Sequence, residues 1–157
     1  MSTLRFSDAV TALLAAYTAA GPLAGVTITD GPNPTAAADP DFIIVGHDGS
    51  LDPDGALSGI TQAGDVTQAW LEFRAIKQET GHVNCVAVAQ TGDTSDIAGR
   101  RARVQALVAA CEDAALNAGI VSGLQFEGTE SAVPFYRQLG QGAAVIIAFT
   151  VGYSTQW

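Results

Sequence analysis

The side chains that could most readily perform nucleophilic or metal chemistry here are two histidines and two cysteines, His47, His82, Cys85 and Cys111. A zinc site needs about four nitrogen or sulfur ligands at defined spacings, and no Cys-x-x-Cys pair occurs. A serine or cysteine nucleophile would need one of the two histidines as its base. We expect both histidines to be solvated, His82 in a turn, and both cysteines to be small buried hydrophobes. The sequence therefore predicts neither a catalytic centre nor a cofactor.

An aspartate- and glycine-rich segment, residues 46–65, is a second candidate for chemistry because carboxylates bind calcium. Its EF-hand register fails, because placing Gly55 at the sixth loop position puts Ser50 first and Thr61 twelfth, where glutamate is expected. A weak cation site shared across a subunit boundary stays open. We interpret the segment as an exposed long loop that becomes ordered against a partner, since loops of about 20 residues inside a domain are often functional.

The one local cluster of basic residues in the sequence is Arg100, Arg101 and Arg103, near the start of a predicted helix. At about 100° per residue, Arg100 and Arg103 share one side of that helix, whereas Arg101 falls nearer its apolar stripe. An arginine on such a stripe needs a carboxylate nearby. The cluster is therefore either a solvated helix face or a contact with the carboxylates of a partner, such as a second copy of this chain.

The composition limits the classes of protein that this chain can belong to. Its 157 residues include 16 acids and 7 bases, which gives a formal net charge of −9, and 48% of the residues are apolar. Such a charge argues against a protein that grips nucleic-acid phosphates, while the length and apolar content predict one domain, residues 1–157. No apolar run approaches the ~18 residues of a membrane span, and no signal-peptide pattern opens the sequence, so we expect neither secretion nor a membrane partner.

Two predicted helices must position these residues. Apolar residues at helical spacing predict the first helix from Asp8 to Ala20, with Ser7 as its N-cap. The second is predicted from Ile97 to Ala118, with Asp96 or a nearby polar residue as its cap, and it carries the arginine cluster.

The remaining apolar segments alternate or are β-branched, which is typical of strands. The predicted strands are Val26–Thr29, Phe42–Val45, Val66–Lys77, His82–Gln90, Gly123–Glu130 and Gly142–Tyr153. The third and fourth form a long hairpin whose turn is predicted at residues 78–81, where Gly81 would supply a positive φ. The element order α-β-β-β-β-α-β-β predicts an α+β fold in which two main helices pack on a mixed, largely antiparallel sheet.

Several short motifs occur along nearly the whole chain; each alone is weak evidence for a family, but their order and spacing are more specific. They are Gly31-Pro32, Glu72-Phe73, Thr91-Gly92-Asp93-Thr94-Ser95-Asp96, Arg100-Arg101-Ala102-Arg103, the link from Gly119 to Gly123, and Arg137-Gln138-Leu139-Gly140-Gln141-Gly142-Ala143 before an apolar strand. In this order and spacing they resemble the tail terminator (tail-completion) family of long-tailed, siphovirus-type bacteriophages. The hairpin departs from the family because residues 77–83 make it longer and more polar.

The resemblance implies a structural virion protein without enzymatic activity or cofactor. Members of the family form a homo-oligomeric ring, commonly of six copies, that caps the finished tail tube and ends tube polymerisation. One face meets the tail-tube protein and the other meets the head connector or head-closure protein. The implied location is the head-proximal end of the tail, after assembly in the host cytoplasm. DNA would pass through the lumen without specific binding, and an acidic lumen would repel its phosphates.

Large amphipathic and charged residues are the candidates for subunit or tube contacts, because aromatic residues and arginine are enriched at interfaces. The candidates are Trp70, Glu72, Arg74, Lys77, Arg100, Arg101, Arg103, Tyr136 and Trp157. Trp70 and Tyr153 are equally compatible with a place in the core. Trp157 follows the last predicted strand and is expected to be covered by a neighbour or by the tube.

Two alternatives stay open. A different neck or tail ring component, such as a head-closure or tail-tube protein, has similar requirements, although a tube subunit would polymerise without limit. A small ligand-binding or enzymatic α+β domain is the alternative from another class, and it would need a concave site with converging polar groups.

Overall fold

A computed structural model of the chain describes residues 4–32, 40–53, 56–71, 75–91, 96–121, 123–139 and 142–157. In these ranges the chain forms two helices and seven strands. The elements are α1 (Phe6–Ala19), a 3₁₀ turn (Gly21–Leu23), β1 (Thr27–Asp30), β2 (Asp41–Val45), β3 (Gly64–Trp70), β4 (Lys77–Thr91), α2 (Ile97–Asn117), β5 (Ile120–Val121), β6 (Leu124–Leu139) and β7 (Gly142–Gln156). The α+β class and the long hairpin predicted from the sequence are confirmed.

The strands form one mixed sheet in the order β1-β2-β4-β7-β6-β5, and only the β1–β2 pair among the described strands is parallel. The 15-residue strand β4 organises this sheet. One of its edges pairs with β7 over residues 78–91. The other edge is shared, since β3 pairs with residues 77–83 and β2 with residues 85–89. Strands β2 and β3 therefore lie end to end along β4.

Both helices pack on the same face of the sheet, where the main core lies. Its largest side chains include Leu13, Tyr17, Leu107, Phe149 and Tyr153, all at most 2% exposed. A smaller apolar cluster covers the centre of the opposite face. It consists of Phe42, Ile44, Val86, Val88, Ile146 and Ala148, with Leu57 and Phe135 packed against it. The central strands are therefore buried on both faces, as the uninterrupted apolar run of β2 predicts.

Helix α1 begins earlier than the sequence predicts. It starts at Phe6, so Ser7 lies within the first turn and the prediction that Ser7 caps the helix is wrong. Arg5 occupies the N-cap position without a side-chain cap; its backbone N–H instead donates to both carboxylate oxygens of Glu79, at 3.0 and 3.2 Å. A tertiary contact therefore replaces the local cap. The predicted end is confirmed, because Gly21-Pro22 opens the 3₁₀ turn.

Helix α2 has the predicted cap and most of the predicted apolar stripe. The side chain of Asp96 accepts a hydrogen bond from the N–H of Gly99, 3.2 Å away. Arg101 is exposed, however, so its placement on the apolar stripe is wrong. The buried face runs through Val104 and Leu107, and it widens towards Ala110, on the side away from Arg101. In the described part of the chain, neither helix is both long and apolar enough to span a bilayer.

The hairpin turn does not lie where the glycine suggests. Strand β3 ends at Trp70 and β4 begins at Lys77, so the turn predicted at residues 78–81 is wrong and the connection covers residues 71–76. Gly81 lies inside β4, where a Cβ would come within 2.5 Å of the Asp65 carbonyl oxygen and 2.8 Å of the Tyr153 ring. The glycine is needed for this close packing rather than for a turn.

The last hairpin is longer than the sequence predicts. Strand β6 continues from the predicted segment to Leu139, β7 continues to Gln156, and β5 was not predicted at all. Register shifts between Phe126 and Ser131 interrupt the alternation of side chains in β6. This irregularity explains why a pattern with period two finds only the first half of the strand.

Candidate interaction surfaces

A histidine held between two carboxylates lies on the sheet face that the helices leave uncovered. The Nδ1 atom of His82 is 2.8 Å from Oδ1 of Asp65 on β3, and its Nε2 atom is 2.5 Å from Oε2 of Glu130 on β6. An ionised carboxylate only accepts hydrogen bonds, whereas a neutral imidazole has one N–H group. Both contacts are satisfied together when the imidazole carries two protons and a positive charge. The expectation of a solvated His82 in a turn is therefore wrong.

The surroundings of His82 favour its charged form. The hydrogen bond to Asp65 is the largest cause that raises the pKa of His82; partial burial lowers it, and the hydrogen bond to Glu130 raises it further. Glu130 reaches the histidine across β7 because residue 152 is glycine. A Cβ at Gly152 would lie 2.6 Å from Oε1 of Glu130 and 3.0 Å from Oε2 of Glu127. The group, named here the His82 cluster, consists of His82, Asp65, Glu127 and Glu130.

A buried carboxylate joins several elements on the helix face. Glu79 of β4 is fully buried, and besides the Arg5 N–H it accepts hydrogen bonds from Gln68 Nε2 at 2.6 Å and from Tyr153 Oη at 2.8 Å. Burial raises the pKa of Tyr153, and the bond to Glu79 raises it further. Buried carboxylates are stable only when they are hydrogen-bonded in this way. The arrangement ties the start of α1 to β3, β4 and β7, so we assign it a structural role.

Two cations and two tryptophans lie at the end of the β3–β4 hairpin where its connection begins. The Nζ atom of Lys77 is 5.9 Å from the ring centre of Trp70 and 5.5 Å from that of Trp157, and the Arg5 guanidinium is 5.9 Å from the latter. Trp157 and Lys77 also exchange backbone hydrogen bonds of 2.6 and 2.9 Å. Trp157 is therefore partly covered within its own chain. Trp70 is 69% exposed, so its alternative place in the core is wrong, whereas that of Tyr153 is confirmed.

The three arginines of α2 separate into two groups. Arg103 Nε lies 2.8 Å from Oδ2 of Asp41, and Arg100 Nη1 lies 3.8 Å from Oδ1 of the same residue. These two share one side of the helix, as predicted, but their carboxylate belongs to the same chain. Arg101 points elsewhere: its Nε donates to Tyr136 Oη at 3.0 Å, and its guanidinium lies 5.5 Å from the centre of that ring. Tyr136 is 59% exposed, so this pair lies on the open surface of β6.

The described part of the segment 46–65 is held together internally. His47 is fully buried, which corrects the prediction that it is solvated; its Nε2 lies 2.8 Å from the Ser58 carbonyl oxygen, and its Nδ1 accepts from the N–H of Gly49. The carboxylate of Asp48 accepts from the Thr61 hydroxyl at 2.8 Å and from the Gln62 N–H at 3.2 Å. The described part of the loop is therefore tied together by hydrogen bonds of its own.

Hydrogen bonding dominates the acidity of Asp48. Burial pushes the pKa of Asp48 upward, but hydrogen bonds from Ser50, Thr61 and Gln62 outweigh it and hold the pKa well below its usual range. The carboxylate is therefore ionised at neutral pH, as a group that accepts several hydrogen bonds should be. Among the residues that the structure describes, no group of three or more His, Cys, Asp or Glu side chains is placed to hold a metal ion.

The cysteines and one groove complete the candidate sites. Cys85 and Cys111 are both fully buried, as predicted, and burial raises the pKa of Cys85 to about 12, which suppresses its thiolate.

An open groove of about 420 Å³ lies between the start of α1, the end of β1 and the loop. Its lining includes Phe6, Val10, Asp30 and Thr61.

Of the nine residues predicted to make subunit or tube contacts, seven lie in the described ranges, at three separate places. Trp70, Lys77 and Trp157 are together at the hairpin end, and Arg101 lies with Tyr136 beside β6. Arg100 and Arg103 are turned towards Asp41, and Glu72 and Arg74 lie outside the described residues.

The His82 cluster was missed by sequence reasoning. A signal was present in Gly152, since an isolated glycine within an apolar strand often marks a close approach.

No protein-family model and no curated protein sequence matches this chain.

Proposed function

We propose that this chain is a structural virion protein of the tail terminator type. In this proposal it forms a closed homo-oligomeric ring, of six copies as the resemblance implies, at the head-proximal end of a phage tail. The ring ends polymerisation of the tube, offers a docking surface to the head connector or head-closure protein, and needs neither catalysis nor a cofactor. DNA passes through its lumen.

The observation that carries this proposal is that the sheet has two different open edges on opposite sides. On one side, β3 pairs only with β4 among the described strands, and on the other, β6 extends far beyond its two-residue pairing with β5. A ring of identical subunits needs two different surfaces that fit each other, because each copy meets its two neighbours differently. An open edge at each side of one sheet meets that requirement.

Charge supports the same proposal. The formal net charge of −9 disfavours adhesion of DNA to the protein, which suits a ring through which DNA has to pass. The exposed Arg101 beside Tyr136 is a local exception, and a positive side chain at a surface is well placed to meet the acidic surface of a second copy.

The mass of the purified chain in solution tests the proposal. Light scattering across protein concentration, with and without magnesium, is expected to show a closed species near six subunits, and electron microscopy is expected to show rings. Open-ended growth would instead favour a tail-tube subunit. If the chain stays monomeric, it should still stop polymerisation of its cognate tube protein when added to growing tubes. A monomer that leaves tube length unchanged would contradict the proposal.

The groove beside α1 favours one alternative function, that of a small ligand-binding domain. Its volume of about 420 Å³ falls in the range typical of ligand sites, and it combines the apolar Phe6 and Val10 with the polar Asp30 and Thr61. Thermal-shift screening with small molecules tests this alternative. A ligand that raises the unfolding temperature, and loses this effect in Val10→Trp, would support it.

A further inference from the structure

We infer that the outer edge of β6 in one copy pairs antiparallel with the outer edge of β3 in the next copy. This inference rests on the proposed function, since it assumes that copies of the chain assemble side by side. It assigns the subunit interface to two strands and fixes their relative direction. The occupant of each edge is a second copy of this chain.

The outer edge of β6 is long and open. In the described chain, β5 pairs with this edge only at Leu124 and Gln125, whereas β6 continues to Leu139. Residues 130–134 and Tyr136 are exposed, including Val133 at 47%. Unpaired backbone groups along a strand edge are a template for another strand, and edges that must stay free are usually short or charged. At 16 residues β6 is long, and its acids Glu127 and Glu130 lie near its start, which leaves residues 131–136 without a charged side chain.

The hydrogen-bond pattern identifies which peptide groups of β6 face outward. Lys77 and Trp157 exchange both backbone bonds, so alternate residues of β7, including Ile147 and Phe149, point their peptide groups at β4. Their partners on β6, Pro134 and Ala132, therefore point theirs away from β7. A proline is tolerated at such an outward position because it has no N–H to donate. Ala132 thus presents an N–H at the open edge.

The same reasoning applies to β3. Leu71 N–H donates to the Ile76 carbonyl at 3.0 Å, and Asn84 N–H donates to the Ala63 carbonyl at 2.8 Å. Odd-numbered residues of β3 therefore face β4, and even-numbered residues, including Val66, present their peptide groups at the outer edge. Five of the seven residues of β3 are exposed.

A ring requires β6 to pair with a different strand rather than with another β6. Pairing of β6 with itself would be symmetric and would stop at a dimer. Among the described strands, two have an unpaired edge on the other side of the sheet, β1 and β3. Strand β1 has four residues, of which only Asp30 is exposed, whereas β3 has seven. Strand β3 is therefore the better partner.

The topology of the sheet fixes the direction of pairing, because β6 runs antiparallel to β3 within one copy and a ring that continues the sheet into the next copy keeps that direction. Acids lie near the start of β6, where Glu127 and Glu130 belong to the His82 cluster, and Arg101 lies near its end beside Tyr136. Strand β3 has the same polarity, with Asp65 at its start and Lys77 beside its last residue. An antiparallel arrangement brings the acidic end of each strand near the cationic end of the other, with the acids on the uncovered face and the cations on the helix face, so charge adds a long-range attraction.

Proline variants of the outward residues test the inference. Ala132→Pro removes the outward N–H of β6, and Val66→Pro removes that of β3. Each variant is expected to raise the concentration at which half of the chain is assembled by about tenfold or more, since several hydrogen bonds are lost around a ring. Ala132→Val and Val66→Thr keep the N–H and serve as matched controls. Circular dichroism and thermal unfolding confirm that all variants are folded.

Mixing the two proline variants gives the decisive result. Each variant keeps one intact edge, so an equimolar mixture is expected to form heterodimers and nothing larger, as measured by light scattering. If both variants assemble like the wild type, or Val66→Pro alone does so, the inference is overturned while the proposed ring stands. A wild-type chain that stays monomeric overturns this pairing for the free chain, and the tube-capping experiment then decides the proposed function separately. If either proline variant fails to fold, charge-reversal variants replace it. Arg101→Asp and Lys77→Glu are each expected to weaken assembly. Unchanged assembly in both variants overturns the pairing.

Discussion

His82 shows how a single residue can join strands that are not neighbours. It lies on β4, and its two nitrogens contact Asp65 on β3 and Glu130 on β6, the second across the glycine of β7. Glu79, three residues earlier in the same strand, joins elements on the opposite face through neutral donors. Strand β4 thus carries a polar cluster on each face: His82 with two carboxylates on one, and Glu79 with neutral donors on the other. The contact of His82, whose pKa is raised, is expected to respond to mild changes in pH.

The first prediction concerns the pH dependence of stability. Since the folded pKa of His82 is raised, its contribution to stability is fully present below the unfolded value of about 6.5 and is lost as the pH rises through the folded pKa. The unfolding temperature of the wild type should exceed that of His82→Gln at pH 5.5, and the difference should shrink at higher pH. Because the imidazole is 37% exposed, the effect should be small and weaker in salt.

Thermal unfolding of both proteins from pH 5.5 to 9, at low and high salt, measures this difference. A constant gap between the two unfolding temperatures over the whole range would show that His82 acts through packing and not through its charge.

A second prediction separates two neighbouring arginines. Arg101→Glu should weaken assembly and leave the unfolding temperature unchanged, because Arg101 is exposed and its side chain contacts the exposed Tyr136. Arg103→Glu should lower the unfolding temperature, because it places a carboxylate beside Asp41, where the native ion pair measures 2.8 Å. Light scattering and thermal unfolding of both variants check this. Equal effects of the two variants on stability would contradict it.

At the scale of elements, the sequence predicts what depends on regular periodicity. Helix α2 and its cap at Asp96, the buried strand β2 and the end of α1 at Gly21-Pro22 all follow from local patterns. The errors arise where a distant contact decides. The sequence places the turn at Gly81, but this glycine lies within β4 and allows the ring of Tyr153 to pack closely. The sequence also places the helix cap at Ser7, but α1 begins one residue earlier, where the backbone N–H of Arg5 donates to Glu79. Such contacts depend on residues more than 70 positions apart, which no local pattern contains.

The candidate sites follow the same division. The burial of both cysteines, which the sequence predicts, concerns single residues and the elements that carry them. The His82 cluster needs the four strands β3, β4, β7 and β6 to be aligned in register, and the contact of Arg103 with Asp41 needs α2 to lie beside the start of β2. Sequence reasoning had the residue types but could not supply this alignment.

A third prediction concerns the loop that follows β2. Asp48→Ala removes the carboxylate that accepts from Thr61 and Gln62, so the loop should open more often. Limited proteolysis of the variant should cut within residues 49–62 several times faster than in the wild type, as followed by mass spectrometry. Asp52→Ala, also in the loop, is the control. If the two variants are cut at the same rate, the hydrogen bonds of Asp48 do not hold the loop closed.

At the scale of the whole molecule, the net charge of −9 leads to a fourth prediction. Duplex DNA should not be retarded by about 10 µM protein at physiological salt, because non-specific binding depends on cations that displace counterions from the phosphates. Gel shift with a basic DNA-binding protein as positive control measures this. Binding that weakens steeply with added salt would contradict an inert, acidic lumen.

The position of β7 between β4 and β6 has a consequence for biosynthesis. A strand that is translated after all the others occupies the middle of the sheet and pairs on both sides, over residues 143–156 with β4. While the chain is still growing on the ribosome, the edges of β4 and β6 that will pair with β7 stay unpaired, because β7 has not yet emerged. The sheet therefore closes late and in one cooperative step, and until then the nascent chain is exposed to aggregation and is a natural client for chaperones.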